Sequence, residues 1–216
     1  MEDALLAAEA GADAIGLVLH PASPRNVTPD VAERIVAALP PFVTPVGLFV
    51  DAPAEHVTAV ARRLGLRHVQ LNGHEGPAGV REVGAVVIKA IRVERATFEA
   101  ELGRWRQAAV ELNLHNLAGF VLETAGTGAP GGTGVENDWE TVTLTRRRGL
   151  FDGLPALIAA GGLTPASVAS VVRAVRPWAV DVSSGVEVDG QRGRKSEEKV
   201  RAFVRAVREA DASPRA

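Results

Sequence analysis

The stretch LETAGTGAPGGTG, residues 122–134, sets a carboxyl group, Glu123, directly ahead of a run of glycines. A carboxyl that ends a strand and loses part of its water can serve as a general acid, and glycines close behind it can fold bare N–H groups over a ligand. Two further stretches, AAGGLTP and DVSSGVE, bring Gly161, Gly162, Ser183, Ser184 and Gly185 to points where a strand gives way to a helix. Backbone N–H groups there approach an anion closely, and a helix N-terminus favours negative charge. The pair therefore reads as a phosphate cradle. In LHPASPRNVTP, Arg25 offers a planar fork that matches a carboxylate or a phosphate; His20 in the same loop is a weaker candidate. In HVQLNGHE, Gln70, Asn72 and His74 offer polar contacts. Plainer readings stand beside these: glycines also serve tight turns, and a loop glutamate, arginine or histidine is commonly just solvated.

Composition narrows the chemistry. The 216 residues contain no cysteine, which removes disulfides, thiolate metal sites and thiol nucleophiles or bases together. The five histidines, His20, His56, His68, His74 and His115, show no ligand spacing, so no metal is expected. A net charge of −2 argues against a general nucleic-acid or membrane-surface role. There is neither a signal peptide nor a bilayer-length apolar run, so the expected location is the cytoplasm. Hydrophobic residues at 46% and charged residues at 23% suit a packed core.

Seven short apolar runs must carry these residues: Asp13–Leu19, Thr44–Val50, His68–Leu71, Ala85–Ile91, Leu117–Glu123, Ala156–Gly161 and Ala179–Gly185. Runs with little alternation suit parallel strands covered on both faces. Helical stripes lie between them: Val57, Val60, Ala61 and Leu64; Val168, Val171, Val172 and Val175; Val200, Phe203, Val204 and Val207. Helix starts are expected at Thr28 with Pro29, Thr164 with Pro165, Asp138, and Ser196 ahead of Glu197 and Glu198. Eight helices and seven strands, opening on a helix, predict an α/β fold of the (β/α)8 TIM-barrel class in one domain, 1–216, without its first strand. A doubly wound open sheet is the competitor, weakened because no GxGxxG follows the first strand. In such a barrel the site lies at the C-terminal ends of the strands.

At these residues the sequence resembles the phosphoribosylanthranilate isomerase family, along the whole chain. The motifs are EDALLAAEAGADAIGLV, PPFVTPVGLFVD, VQLNG, GGTG followed by DW, AGGLTP and VRPWAVDVSSGVE. The resemblance implies an Amadori rearrangement in tryptophan biosynthesis, without metal or organic cofactor, on a small phosphosugar substrate. It implies that Gly162 and Ser184, with neighbouring N–H groups and those of Gly132 and Gly134, hold the phosphate. It implies further that Arg25 faces the anthranilate carboxylate, that Asp181 positions the sugar, and that position 123 holds the general acid. A monomer or homodimer is expected.

Three departures from the family pattern stand out. The family base is a cysteine at the end of the first strand, in a motif resembling K-I-C-G, and this sequence holds no cysteine. Glu123 stands where the family usually has aspartate, and Asn72 where it often has histidine. The expectation is that an upstream start restores the strand and its cysteine; the alternative is a truncated chain with an open barrel, whose bare strand edges invite pairing. Rival functions are another phosphosugar barrel enzyme, or a non-catalytic phospho-ligand binder.

Overall fold

The computed structural model describes residues 1–124 and 136–212. Gly132 and Gly134 lie outside the described residues. Strands and helices alternate in the order α1 (Glu2–Ala10), β1 (Ala14–Val18), α2 (Pro29–Ala38), β2 (Thr44–Phe49), α3 (Ala54–Arg63), β3 (His68–Leu71), α4 (Pro77–Glu82), β4 (Val86–Val93), α5 (Phe98–Glu111), β5 (Leu117–Thr124), α6 (Trp139–Arg147), β6 (Ala156–Ala159), α7 (Val168–Val175), β7 (Ala179–Val180) and α8 (Glu197–Asp211). The seven strands form one sheet in sequence order, every pair parallel. This is the expected βα-barrel wall.

The strands hold because the face toward the helices is covered. Leu17, Phe49, Leu71, Phe120 and Leu122 are buried on the face toward the helices, against Ile35, Val57, Phe98, Leu102 and Trp105. Each large apolar side chain so buried contributes about 1.5–3 kcal/mol. All four valines of the α7 stripe are buried, as are Val57 and Ala61 of α3 and Val200 and Phe203 of α8.

All four expected cap side chains accept an N–H three residues on: Thr28 from Val31, Asp138 from Thr141, Ser196 from Lys199 and Thr164 from Ser167. At Thr164 the bond is reciprocated, Thr164 N–H donating to Ser167 Oγ at 3.1 Å and Ser167 N–H to Thr164 Oγ1 at 3.2 Å. What needs correction is the helix start: residues 165–167 form a turn, and α7 begins at Val168 rather than at Pro165.

The last strand also stops earlier than its sequence suggests. After Val180 only the Asp181 N–H still reaches the sheet, donating to Ala159 O at 2.8 Å. The chain then turns inward through a 3-10 turn, Ser184–Val186. Within the described residues β1 and β7 are the sheet edges and do not pair with each other. Instead α1 packs on α8, Lys195 N–H donates to Asp3 Oδ2 at 3.1 Å, and Arg25 meets Glu187. Those links show that the sheet curls far enough for its first and last loops to touch.

Candidate active site

Parallel strands in register carry their C-terminal ends to one rim, and the rim gathers residues far apart in sequence. One pocket is lined by His20, Arg25, Gln70, Asn72, Glu123, Gly161, Gly162, Asp181, Ser183, Ser184 and Gly185. All the candidates within the described residues are there except His74, which lies outside, exposed and 3.2 Å from Asp51.

The two glycine turns abut. A Cβ built on Gly185 would sit 1.8 Å from the Leu163 carbonyl oxygen and 3.3 Å from Thr164 Cα. Gly161 and Gly162 have φ of 93° and 65°, a region that side chains disfavour. A Cβ on Gly161 would also strike Thr124 Oγ1 at 2.4 Å. Glycine is therefore demanded by contact and by backbone, and both turns line the same pocket.

The same pocket holds a polar chain. Gln70 Nε2 donates to Asn72 Oδ1 at 2.5 Å, and Asn72 Nδ2 donates to Glu123 Oε1 at 2.9 Å. Burial pushes the Glu123 carboxyl above its ordinary range, against the Asn72 hydrogen bond, and the nearby Asp181 carboxylate adds to the rise. Weaker opposing pulls come from Arg92, its register partner on β4, and Lys89. An elevated carboxyl is what an acid needs to keep its proton near neutral pH. Asp181 is exposed beyond β7. The protein around it nonetheless pushes its carboxyl upward, opposed by Lys195 and the Val182 N–H. Water at the exposed side chain tempers that push.

Arg25 does not stand alone. Its Nε donates to Glu187 Oε1 at 2.7 Å and its Nη2 to Glu187 Oε2 at 3.0 Å. Lys195 joins the cluster, donating to Ser183 O at 2.8 Å with its ammonium 3.4 Å from Glu187. Burial would raise the Glu187 carboxyl, but the Arg25 bonds and the Lys195 charge outweigh it and hold it low. Burial lowers Lys195, against its attraction to Glu187.

Glu187 and Lys195 escaped sequence reasoning, as did Asn137. The Asn137 amide donates to Leu122 O and Ala160 O, both at 3.0 Å, pinning the residues just before Glu123 and Gly161. Asn137 could have been suspected from its place beside the Asp138 cap; nothing local marks Glu187 or Lys195.

A parallel βα-barrel wall whose C-terminal rim gathers two glycine turns and a half-buried carboxyl into one pocket defines the class: an α/β barrel with its candidate site at the strand ends. The comparisons narrow this. Residues 1–206 match the family model for N-(5'-phosphoribosyl)anthranilate (PRA) isomerase, and the chain belongs to that family. It is 46% identical over 211 residues to N-(5'-phosphoribosyl)anthranilate isomerase of Azotobacter vinelandii, covering 97% of this chain and 94% of the relative. The crystal structure of phosphoribosyl anthranilate isomerase from Thermotoga maritima superposes with a TM-score of 0.81 at 34% identity, over 96% of this chain and 94% of that one. A phosphoribosyl anthranilate isomerase in complex with reduced 1-(o-carboxyphenylamino)-1-deoxyribulose 5-phosphate gives 0.76 at 34% identity, over 96% and 93%. Among the described residues, no helix is long and apolar enough to cross a membrane.

Proposed function

We propose that this chain isomerises N-(5'-phosphoribosyl)anthranilate, an aminoaldose, to the 1-amino-1-deoxyribulose 5-phosphate in cytoplasmic tryptophan biosynthesis. The observation that carries the reading is the meeting of the two glycine turns in one pocket with the Asn72–Glu123 pair. The turns at 161–162 and 184–185 hold the phosphate through N–H groups. Glu123 protonates the furanose ring oxygen; the C1–O bond breaks and leaves a protonated Schiff base. Loss of the C2 proton to a base gives the enol, and tautomerisation delivers a proton to C1 and yields the ketone. Asp181 positions the sugar. Arg25, its fork fixed by Glu187, directs positive charge toward the aryl carboxylate.

The family's base is a cysteine, and these 216 residues contain none, so no residue here is assigned that role. A second reading is a barrel that binds the phospho-ligand without turning it over. Loss of anthranilate fluorescence as the aminoaldose is consumed tests the first; calorimetry with the reduced product analogue tests the second. Turnover above background establishes the isomerase, and binding without turnover establishes the binder. Absence of both overturns the assignment to this substrate.

A further inference from the structure

Lys89 sits in the middle of β4 on the face turned toward the helices, level with Leu71 on β3 and Phe120 on β5. Its side chain is only 4% exposed. Its ammonium donates to two carbonyls, Gly73 O at 2.8 Å and Leu71 O at 3.0 Å, and is ion-paired with Glu75 Oε2 at 3.1 Å. The two carbonyls belong to the residues on either side of Asn72. On the opposite face of the sheet, the Asn72 amide reaches Glu123.

A buried ammonium is expensive, and apolar residues of similar volume commonly replace buried ion pairs without loss. Stability alone is thus a poor account of this one. The loop it grips is also tied from outside, since Glu75 Oε1 accepts from Asp51 N–H at 2.8 Å and Asp51 Oδ1 accepts from His74 N–H. No step of the proposed reaction uses Lys89.

We propose that Lys89 is a positioning residue for the acid: from behind the sheet it clamps the carbonyls flanking Asn72 and so holds the Asn72 amide against Glu123. The proposal rests on reading Glu123 as the acid. Without the clamp, two carbonyls lose their partner and residues 72–75 can shift. A displacement of about 1 Å at a catalytic group costs up to on the order of 10²-fold. The charged groups around the pair are Glu75, Asp51 and Glu123 acting on Lys89, Glu101 of α5 within its field, and Arg92 and Asp181 acting on Glu123.

The test compares the full chain with Lys89→Met, Asn72→Ala and the double variant. Glu123 is titrated by NMR of its labelled carboxyl carbon, assigned through Glu123→Gln. Each single change raises the Glu123 midpoint. If Lys89 acts through Asn72, adding Lys89→Met to Asn72→Ala raises it by clearly less than Lys89→Met does alone. Fully additive shifts would reduce Lys89 to a distant charge and overturn the proposal, as would an unmoved midpoint in Lys89→Met. Should Lys89→Met not fold, Lys89→Gln keeps an amide donor and raises the midpoint less than Asn72→Ala; an equal or larger rise sinks the idea. The titration needs no turnover. Full activity in Glu123→Gln would refute the acid while leaving the coupling intact, so the two failures are distinct.

Discussion

Arg25 and Glu187, 162 residues apart, form a two-point ion pair at 2.7 and 3.0 Å with side chains only 13% and 7% exposed. It ties the loop after β1 to the turn after β7. Removing one partner leaves the other charged and buried, and such losses cost about 3–5 kcal/mol. Glu187→Ala is expected to destabilise the chain on that scale in urea unfolding at neutral pH. The Glu187 carboxyl is held below its ordinary range in the folded state. Its contribution is therefore present above the unfolded pKa and lost as pH falls through the folded one. The gap between wild type and Glu187→Ala should close in acid; a gap constant across pH would contradict this.

Glu123→Gln cannot donate a proton and should lower kcat by roughly 10²–10⁴-fold, with little change in binding of the reduced product analogue. Glu123→Asp keeps the acid but draws it back by one methylene and should retain more activity than Glu123→Gln. In the wild type, kcat should fall as pH rises through the elevated Glu123 pKa, because only the protonated form is the donor. A rate that climbs through that range points to another acid.

The same elevation carries a stability consequence of opposite sense to that of Glu187. A carboxyl raised in the folded state contributes stability below its unfolded pKa and loses it as pH rises through the folded value. Above its folded-state pKa the charged Glu123 is a burden, so Glu123→Gln should have the higher Tm there, with the difference vanishing in acid. Thermal melts across pH measure this directly.

Gly185→Ala forces a methyl onto the Leu163 carbonyl. The two turns must part, and binding of the product analogue should weaken at least tenfold by calorimetry. Gly79, inside α4, meets nothing within 4 Å. Alanine there should leave binding unchanged and add roughly 0.5–1 kcal/mol of stability. Equal binding losses in both variants would mean that the turn contact is irrelevant.

Local signals placed the elements well and their ends less well. His68–Leu71 was legible to the residue, and Thr28, Asp138 and Ser196 cap as their types suggest. Thr164 also caps, through the Ser167 N–H, but the regular helix behind it begins three residues later than Pro165 suggests, at Val168. The strand expected through Gly185 stops at Val180, since its continuation must turn in to meet Leu163. Candidate residues at the strand ends were readable because a parallel barrel sends every strand's C-terminal end to one rim.

From the sequence alone came the alternation, the parallel barrel class, the glycine turns, the carboxyl at 123 and the family resemblance, since these rest on periodicity, spacing and residue type within short stretches. Only the tertiary structure decided that Arg25 is paired with Glu187, that Asn72 bonds Glu123, and that Lys89 and Asn137 grip carbonyls beside the site. These contacts join residues remote in the chain. They exist once the sheet has curled and the helices have packed behind it, and no local pattern in the sequence encodes which distant partner a buried polar group will find.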